Sequence, residues 1–476
     1  MGFYDRGLTG MPAYSALCAD IRAGRLPAAV TGLGHIHKVH FVYALCASLG
    51  RRAVVLAADE GEASRIGEDL SAFGAHPLFL PSRDLSLRRV ESTSREYEQM
   101  RLGTLAQMAA GEYDVVVACV DAAAQFTLPP AVLLARTLRL RAGLPLPVKS
   151  LPAALTAAGY ERCDQIEGPG QFAVRGGILD VYPADCPSPL RIELWGDAVD
   201  TLAYFDLLSQ RRTETMEEIA IPPAAEIMYD DPAELAGKIE ALAAGLRGKN
   251  AAAARENLLA DAQRLRGGGR PASFDKYIPL IYERPATLFD YAQGALLFVS
   301  EAARVKERLR TSQWQLQEDV KTLLAEGQLC RGLTDYALDE PGVLMELERR
   351  GVVLLETFAR SGMEIRINSL YNINARQLPV WSGGLELLTE DLRDLLHREM
   401  ACVVLAGSEE KNAETLAADL AGQGIPALYA PSPEAPVKNR VLVLRGGLSA
   451  GMEYPDAGLA VITHGRVGAG RRRPKR

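Results

Sequence analysis

Paired cysteines, a usable histidine cluster and long apolar runs are all missing from this 476-residue sequence. Its seven cysteines (Cys18, Cys46, Cys119, Cys163, Cys186, Cys330 and Cys402) are scattered, odd in number and nowhere spaced C-x-x-C. That pattern excludes a disulfide scaffold and a thiolate zinc site and fits reduced thiols. Of six histidines, His35, His37 and His40 are the nearest approach to a metal motif, but offsets of two and five do not share a helix face. No apolar run approaches the roughly 18 residues of a membrane helix, and the first residues carry no basic segment before an apolar core. The expectation is a cytoplasmic chain with no membrane partner. A net charge of −7 excludes a surface that gathers nucleic acid as a whole.

What is present is an ordinary globular composition, 48% hydrophobic and 24% charged, long enough for about three domains. Apolar runs at Pro27–Thr31, Arg52–Ala58, Pro77–Leu80 and Asp114–Val120 alternate with helical patterns at His37–Leu49, Glu62–Phe73 and Arg95–Ala110. That rhythm predicts a parallel sheet with helices on both faces. Past Leu128-Pro129-Pro130 the pattern changes to short alternating strands and tight turns, notably 171–183, Leu190–Trp195 and Val199–Phe205, which predict a small antiparallel β-rich domain. Helix formers dominate from Pro232 to about Arg270, and α/β alternation returns in the last third, with strands at Gly351–Thr357, Met400–Gly407, Ile425–Tyr429 and Val441–Leu444. The fold class is therefore α/β: a degenerate P-loop-type parallel sheet domain, an inserted β-rich (α+β) domain, and a further small α/β domain. The boundaries are drawn at 1–130 and 212–345 for the two parts of the first domain, 131–211 for the insertion, 346–465 for the small domain and 466–476 for a basic linker that looks cut.

Where the first strand meets the first helix, the chain reads Gly32-Leu33-Gly34-His35-Ile36-His37-Lys38-Val39. A working phosphate loop, G-x-x-x-x-G-K-[ST], needs glycine freedom for its backbone donors, a lysine for the terminal phosphates and a hydroxyl for magnesium. Gly32 and Lys38 hold their places, but His37 replaces the second glycine and Val39 the hydroxyl. No apolar strand ends in an Asp-Glu pair suited to magnesium and water. The expectation is a nucleotide-binding fold without its nucleotide, with no cofactor, no metal and no catalytic residue. Arg83, Arg88, Arg89, Arg95 and Arg101 make one local basic stretch, read as a solvated helix face, with a DNA-backbone contact as the alternative.

Residues 159–183, from Gly159-Tyr160-Glu161-Arg162 through Gln171-Phe172-Ala173-Val174-Arg175-Gly176-Gly177 to Tyr182-Pro183, form a distinctive segment. With Arg191-Ile192-Glu193-Leu194-Trp195-Gly196-Asp197, Phe205-Asp206 and Ser209-Gln210-Arg211, it resembles the module shared by the excision-repair protein UvrB and the transcription-repair coupling factors. The degenerate loop favours the coupling-factor family, as do 273–291, 446–455 and 459–465. The resemblance implies a UvrB-like N-terminal region lying ahead of an RNA-polymerase-binding domain, an ATP-driven double-stranded DNA translocase and a regulatory domain. ATP and magnesium would belong to those motor domains alone, and RNA polymerase and double-stranded DNA would be partners through the segments beyond this chain.

For this region the resemblance implies a non-catalytic role, recruiting UvrA to stalled RNA polymerase in transcription-coupled repair. The UvrA contact then falls on Arg175, Arg191 and Trp195, the last standing where the family usually has phenylalanine. Alternation along Leu190–Trp195 puts Arg191, Glu193 and Trp195 on one face and Ile192 and Leu194 on the other. A solvated strand face with a core indole is the plainer reading of the same pattern. The alternative function is a UvrB-like nucleotide-binding, helicase-type enzyme.

Overall fold

Buried strands of an all-parallel sheet read as continuous apolar runs because both faces are covered. In the computed structural model, which describes residues 3–83, 85, 87, 96–143, 151–196, 198–248, 250–271, 273–359 and 363–464, seven strands build the first sheet, the five inner ones buried apolar runs. Their order is Ser369–Asn372, Ala28–Thr31, Val352–Leu355, Leu296–Ser300, Ala53–Ala57, Val115–Cys119 and Pro77–Leu80, every pair parallel. Successive residues serve opposite cores: Val54, Leu56, Val116 and Leu297 join one, Val55, Ala57, Val117 and Phe298 the other.

The strand Val352–Leu355, grouped by sequence order with the last domain, lies inside this sheet between Ala28–Thr31 and Leu296–Ser300. The boundary drawn at 346 thus cuts the first sheet, and Ser369–Asn372 is its edge. An apolar run of four residues fits any parallel sheet, so its partner cannot be read locally.

The β-rich module is a six-stranded sheet in the order Arg212–Met216, Ala198–Phe205, Leu190–Trp195, Ile178–Val181, Gln171–Arg175 and Glu161–Arg162. A two-stranded ribbon of Leu138–Arg141 and Glu218–Ile221 lies beside it. One face, with Phe172, Leu179, Val181, Leu190, Ile192 and Leu202, buries against Leu151 and Leu155 of a short helix and against Leu140 and Ile221 of the ribbon. The module therefore continues past 211 through two strands; Arg212–Met216 is a charged edge strand without an apolar stripe.

On its return the chain is pinned to the first domain by buried charge. Arg101, on the helix Glu96–Ala110, is 1% exposed and donates to Glu226 from Nε at 2.8 Å and Nη2 at 3.4 Å, and from Nη1 to the Pro81 carbonyl at 2.8 Å. Thr127 donates its hydroxyl to the same carboxylate at 2.6 Å. Arg83 is buried as well, 3.5 Å from Asp275 and 3.9 Å from Glu98. The basic stretch is therefore neither a solvated face nor a DNA contact at these two positions; Arg88, Arg89 and Arg95 lie outside the described residues. Carboxylates from distant segments, Glu226 and Asp275, took up these charges, and local sequence does not show them.

The third sheet has the order Arg376–Leu378, Gly451–Tyr454, Leu459–Thr463, Ala401–Leu405, Val441–Leu444 and Ala427–Tyr429, its last four strands parallel. One face covers Leu388, Leu392, Ala413 and Leu420 of its own helices. The other, with Val403, Leu405, Met452 and Val461, shares a core with Phe41, Val42 and Leu45 of the helix His35–Leu49. That helix is thus a common layer between two sheets. His40, stacked on Phe73, bonds the Tyr454 hydroxyl and the Tyr4 carbonyl at 3.0 Å each, and His37 meets Tyr454 edge-on. Asp69, fully buried, accepts the Ser449 amide and hydroxyl and faces His35 Nε2 at 3.1 Å, tying the same layers. Among the described residues no helix is long and apolar enough to cross a membrane.

Two outcomes follow from this buried charge. Arg101→Met strands the Glu226 carboxylate and is expected to destabilise the chain by about 3–5 kcal/mol in urea unfolding, with much of the loss recovered when Glu226 is made apolar too; an unchanged midpoint would show the pair to be dispensable. Burial holds the His37 and His40 imidazoles down at about 4, against 6.5 when free. The unfolded chain therefore takes protons near 6.5 that the folded chain refuses until about 4, so stability should fall as pH drops across that window, by on the order of 3 kcal/mol per ring. The Glu226 carboxyl, buried but held below its usual range by Arg101 and Arg83, adds acid lability in the same direction. Melting temperatures measured from pH 7.5 to 4.5 check the slope, which His40→Gln should flatten.

Candidate docking surface and the phosphate loop

The loop after the first strand keeps the shape of a phosphate cradle, yet its concave side is filled by the chain itself. Gly32 has φ +85°, and a Cβ there would stand 2.0 Å from the Ile373 carbonyl oxygen; at Gly34 one would stand 3.0 Å from Gln377 Oε1 and 3.2 Å from His37 Nδ1. Ile373 is fixed by donating its amide to Thr31 at 2.9 Å, and the Leu33 amide donates to the Glu356 carbonyl at 3.1 Å. Acceptor oxygens thus face the loop where a phosphate would need donors.

Lys38 is buried and paired with the Glu301 carboxylate, which also accepts the Thr357 amide. The Lys38 and Thr357 bonds hold Glu301 below the usual carboxylate range against the opposing effect of burial. Glu356, 5% exposed, is pushed up to about 7, by burial first and by the neighbouring Glu301 charge next. Val39 is a core residue, and the His37 ring is buried beside it. These residues do not fit the phosphates of a nucleotide or a magnesium ion. No group of His, Cys, Asp and Glu among the described residues could hold a metal.

The second face of the β-rich sheet, covered in part by a small cluster of Ile166, Ala173 and Phe205, carries the other candidates. Trp195 is 83% exposed at the end of its strand, so the indole is not in the core. Ile192 is buried and Leu194 half-buried on the opposite face, as the alternation predicts. Arg175 is exposed beside the turn Gly176-Gly177, which lies against the Leu194 backbone through the Leu194 amide and Gly177 carbonyl at 2.8 Å. Arg175 and Trp195 thus sit at one end of the sheet. Arg191 lies four residues back along the strand, about 13 Å away.

Arg191 is also engaged within the chain. Nε and Nη2 donate to the two Asp180 oxygens at 2.7 and 2.8 Å, and the guanidinium covers the Phe205 ring with its carbon 4.2 Å from the centroid. Nη1 reaches the Gln210 carbonyl at 3.1 Å and Nη2 its side chain at 2.9 Å. Glu193 pairs with Arg212 on the edge strand. Sequence reading missed Asp180, Phe205, Gln210 and Arg212 as partners on this face. Asp180 stands opposite Arg191 in the register of Ile178–Val181 against Leu190–Trp195, so a hairpin alignment could have found it.

Residues 138–227, the module just described with its flanking ribbon and its returning segment, match the UvrB interaction domain family. Over 460 residues the chain is 27% identical to the transcription-repair-coupling factor of Bacillus subtilis (strain 168), covering 94% of this chain and 39% of that protein. To the factor of the same name in Staphylococcus aureus (strain USA300) it is 24% identical over 450 residues, 92% of this chain and 38% of the relative. The chain therefore spans about two fifths of the length of these relatives. Its segment 138–227 matches the UvrB interaction domain, and over nearly its whole length the chain is similar to a part of the transcription-repair-coupling factors.

Proposed function

We propose that this chain is a non-catalytic recruiting platform: its β-rich module binds UvrA, and the protein to which it belongs brings UvrA to a stalled RNA polymerase in the cytoplasm during transcription-coupled repair. The single observation that carries this reading is the match of 138–227 to a UvrB interaction domain, whose sheet here exposes an indole at the end of a strand. A large aromatic and an arginine without a partner among the described residues, at one sheet end, suit a hot spot, since the aromatic buries much area at low entropic cost and the arginine fork pairs bidentately with carboxylates. ATP, magnesium, double-stranded DNA and the polymerase would be handled by regions of the longer relatives outside the matched two fifths. The competing reading, a UvrB-like nucleotide enzyme, is disfavoured by the acceptors facing the loop and by the Lys38–Glu301 pair.

Calorimetric titration with UvrA from the same organism should show binding, weakened at least tenfold by Arg175→Ala and by Trp195→Ala with folding intact. Absence of binding by the unaltered chain would end the proposal. Magnesium-ATP at millimolar concentration should leave the melting temperature unchanged, both in the unaltered chain and in a His37→Gly/Val39→Thr variant that restores the loop motif. Micromolar binding would instead add about 4 kcal/mol of stability, and such a shift in the unaltered chain would revive the enzyme reading.

A further inference from the structure

Leu208 is 97% exposed, yet the turn that carries it is among the most heavily braced on the sheet. Asp206 Oδ1 accepts the Ser209 amide at 2.7 Å, its carbonyl accepts the Gln210 amide at 2.8 Å, and its own amide donates to the Arg211 carbonyl at 3.0 Å. Gln210 sits at φ +58°, a left-handed conformation that is strained for a non-glycine residue, and its side chain donates to the Leu207 carbonyl at 2.8 Å. Arg191, itself locked by Asp180 and Phe205, bonds both the carbonyl and the side chain of Gln210. Leu207 packs on the buried Phe205 beneath. The outcome is an apolar side chain presented to water on a braced backbone, which brings no folding gain of its own but lowers the backbone part of the ordering cost of a contact with a partner.

We propose that Leu208 is a second apolar anchor of the docking face, and that Arg191 is a positioning residue acting through the 206–210 turn without itself touching the partner. The inference rests on the reading that the β-rich sheet docks UvrA and adds to it a direct contact and a changed role. Trp195 pairs with Ala198, whereas Leu190 pairs with Tyr204 next to the turn. Leu208 lies in the turn just past the Tyr204 end of this pairing, so the two anchors stand toward opposite ends of the strand Leu190–Trp195, with the Glu193–Arg212 pair between them. The partner surface that fits is a polar strip with an apolar socket at each end.

The test measures UvrA affinity for the unaltered chain, Leu208→Ala, Arg191→Ala, the double variant and Trp195→Ala, with circular dichroism and melting confirming that each is folded. Leu208→Ala should weaken binding about tenfold or more while leaving amide exchange at Ser209 and Gln210 unchanged. Arg191→Ala should weaken binding and also speed exchange at those amides, and the double variant should bind no worse than Arg191→Ala alone. Unaltered affinity in Leu208→Ala removes the anchor; unaltered affinity in Arg191→Ala, or losses that multiply in the double variant, overturns the positioning role. If the unaltered chain does not bind, or Trp195→Ala and Leu208→Ala are both without effect, the docking reading itself falls. An effect of Trp195→Ala with none from Leu208→Ala defeats this inference alone.

Discussion

A carboxylate sealed completely from water, Glu226, is answered by the equally enclosed Arg101 guanidinium, and around that pair the β-rich module is joined to the parallel sheet. All the polar groups of Glu226 are engaged: its amide donates to Glu98, its carbonyl accepts the Tyr282 hydroxyl, and its carboxylate takes Arg101 and Thr127. Removing two charges from water costs several kcal/mol, and only close, fully bonded geometry offsets it. Such a contact tolerates little sliding or rotation, so the returning segment is held in one seat. The orientation of the module, and hence the direction its second face looks, follows from that seat.

The phosphate loop shows how a binding site becomes structure. The lysine that would meet phosphate has its charge met by Glu301, itself in a left-handed conformation ahead of the 24-residue helix Ala302–Ala325. The backbone donor of Leu33 is met by Glu356, and the hollow is filled by Ile373 and Gln377 on the way to the third sheet. The lysine and this amide thus have partners within the chain, and the loop serves as a junction between layers.

Much of this was legible in the sequence. The parallel strands announced themselves as apolar runs between helical patterns, the inserted β-rich module as a change of period, and the defective loop as two wrong residues at His37 and Val39. Alternation in Leu190–Trp195 gave the correct two faces. What was not legible was anything decided by a distant partner. Arg101 and Arg83 looked like solvent-facing charge because Glu226 and Asp275 lie more than a hundred residues away in the chain. Val352–Leu355 was assigned to the wrong sheet because apolar runs carry no address. Arg191 looked like a free prong because Asp180 and Gln210 become its neighbours only once strand register is set. Leu208 passed unnoticed since exposure of a leucine in a polar turn has no local signature.

The shared helix layer has a consequence for substitution. Residues 35–49 face the first sheet on one side and the third on the other, and the His37 ring occupies space against Tyr454 at that seam. A glycine there would open a void between two domains without clearing Ile373 or Gln377 from beside the loop, and a hydroxyl at position 39 would enter a core. The two positions that depart from the phosphate-loop motif are therefore the ones that seal one sheet layer to the next, and changing either is a change to the packing between layers.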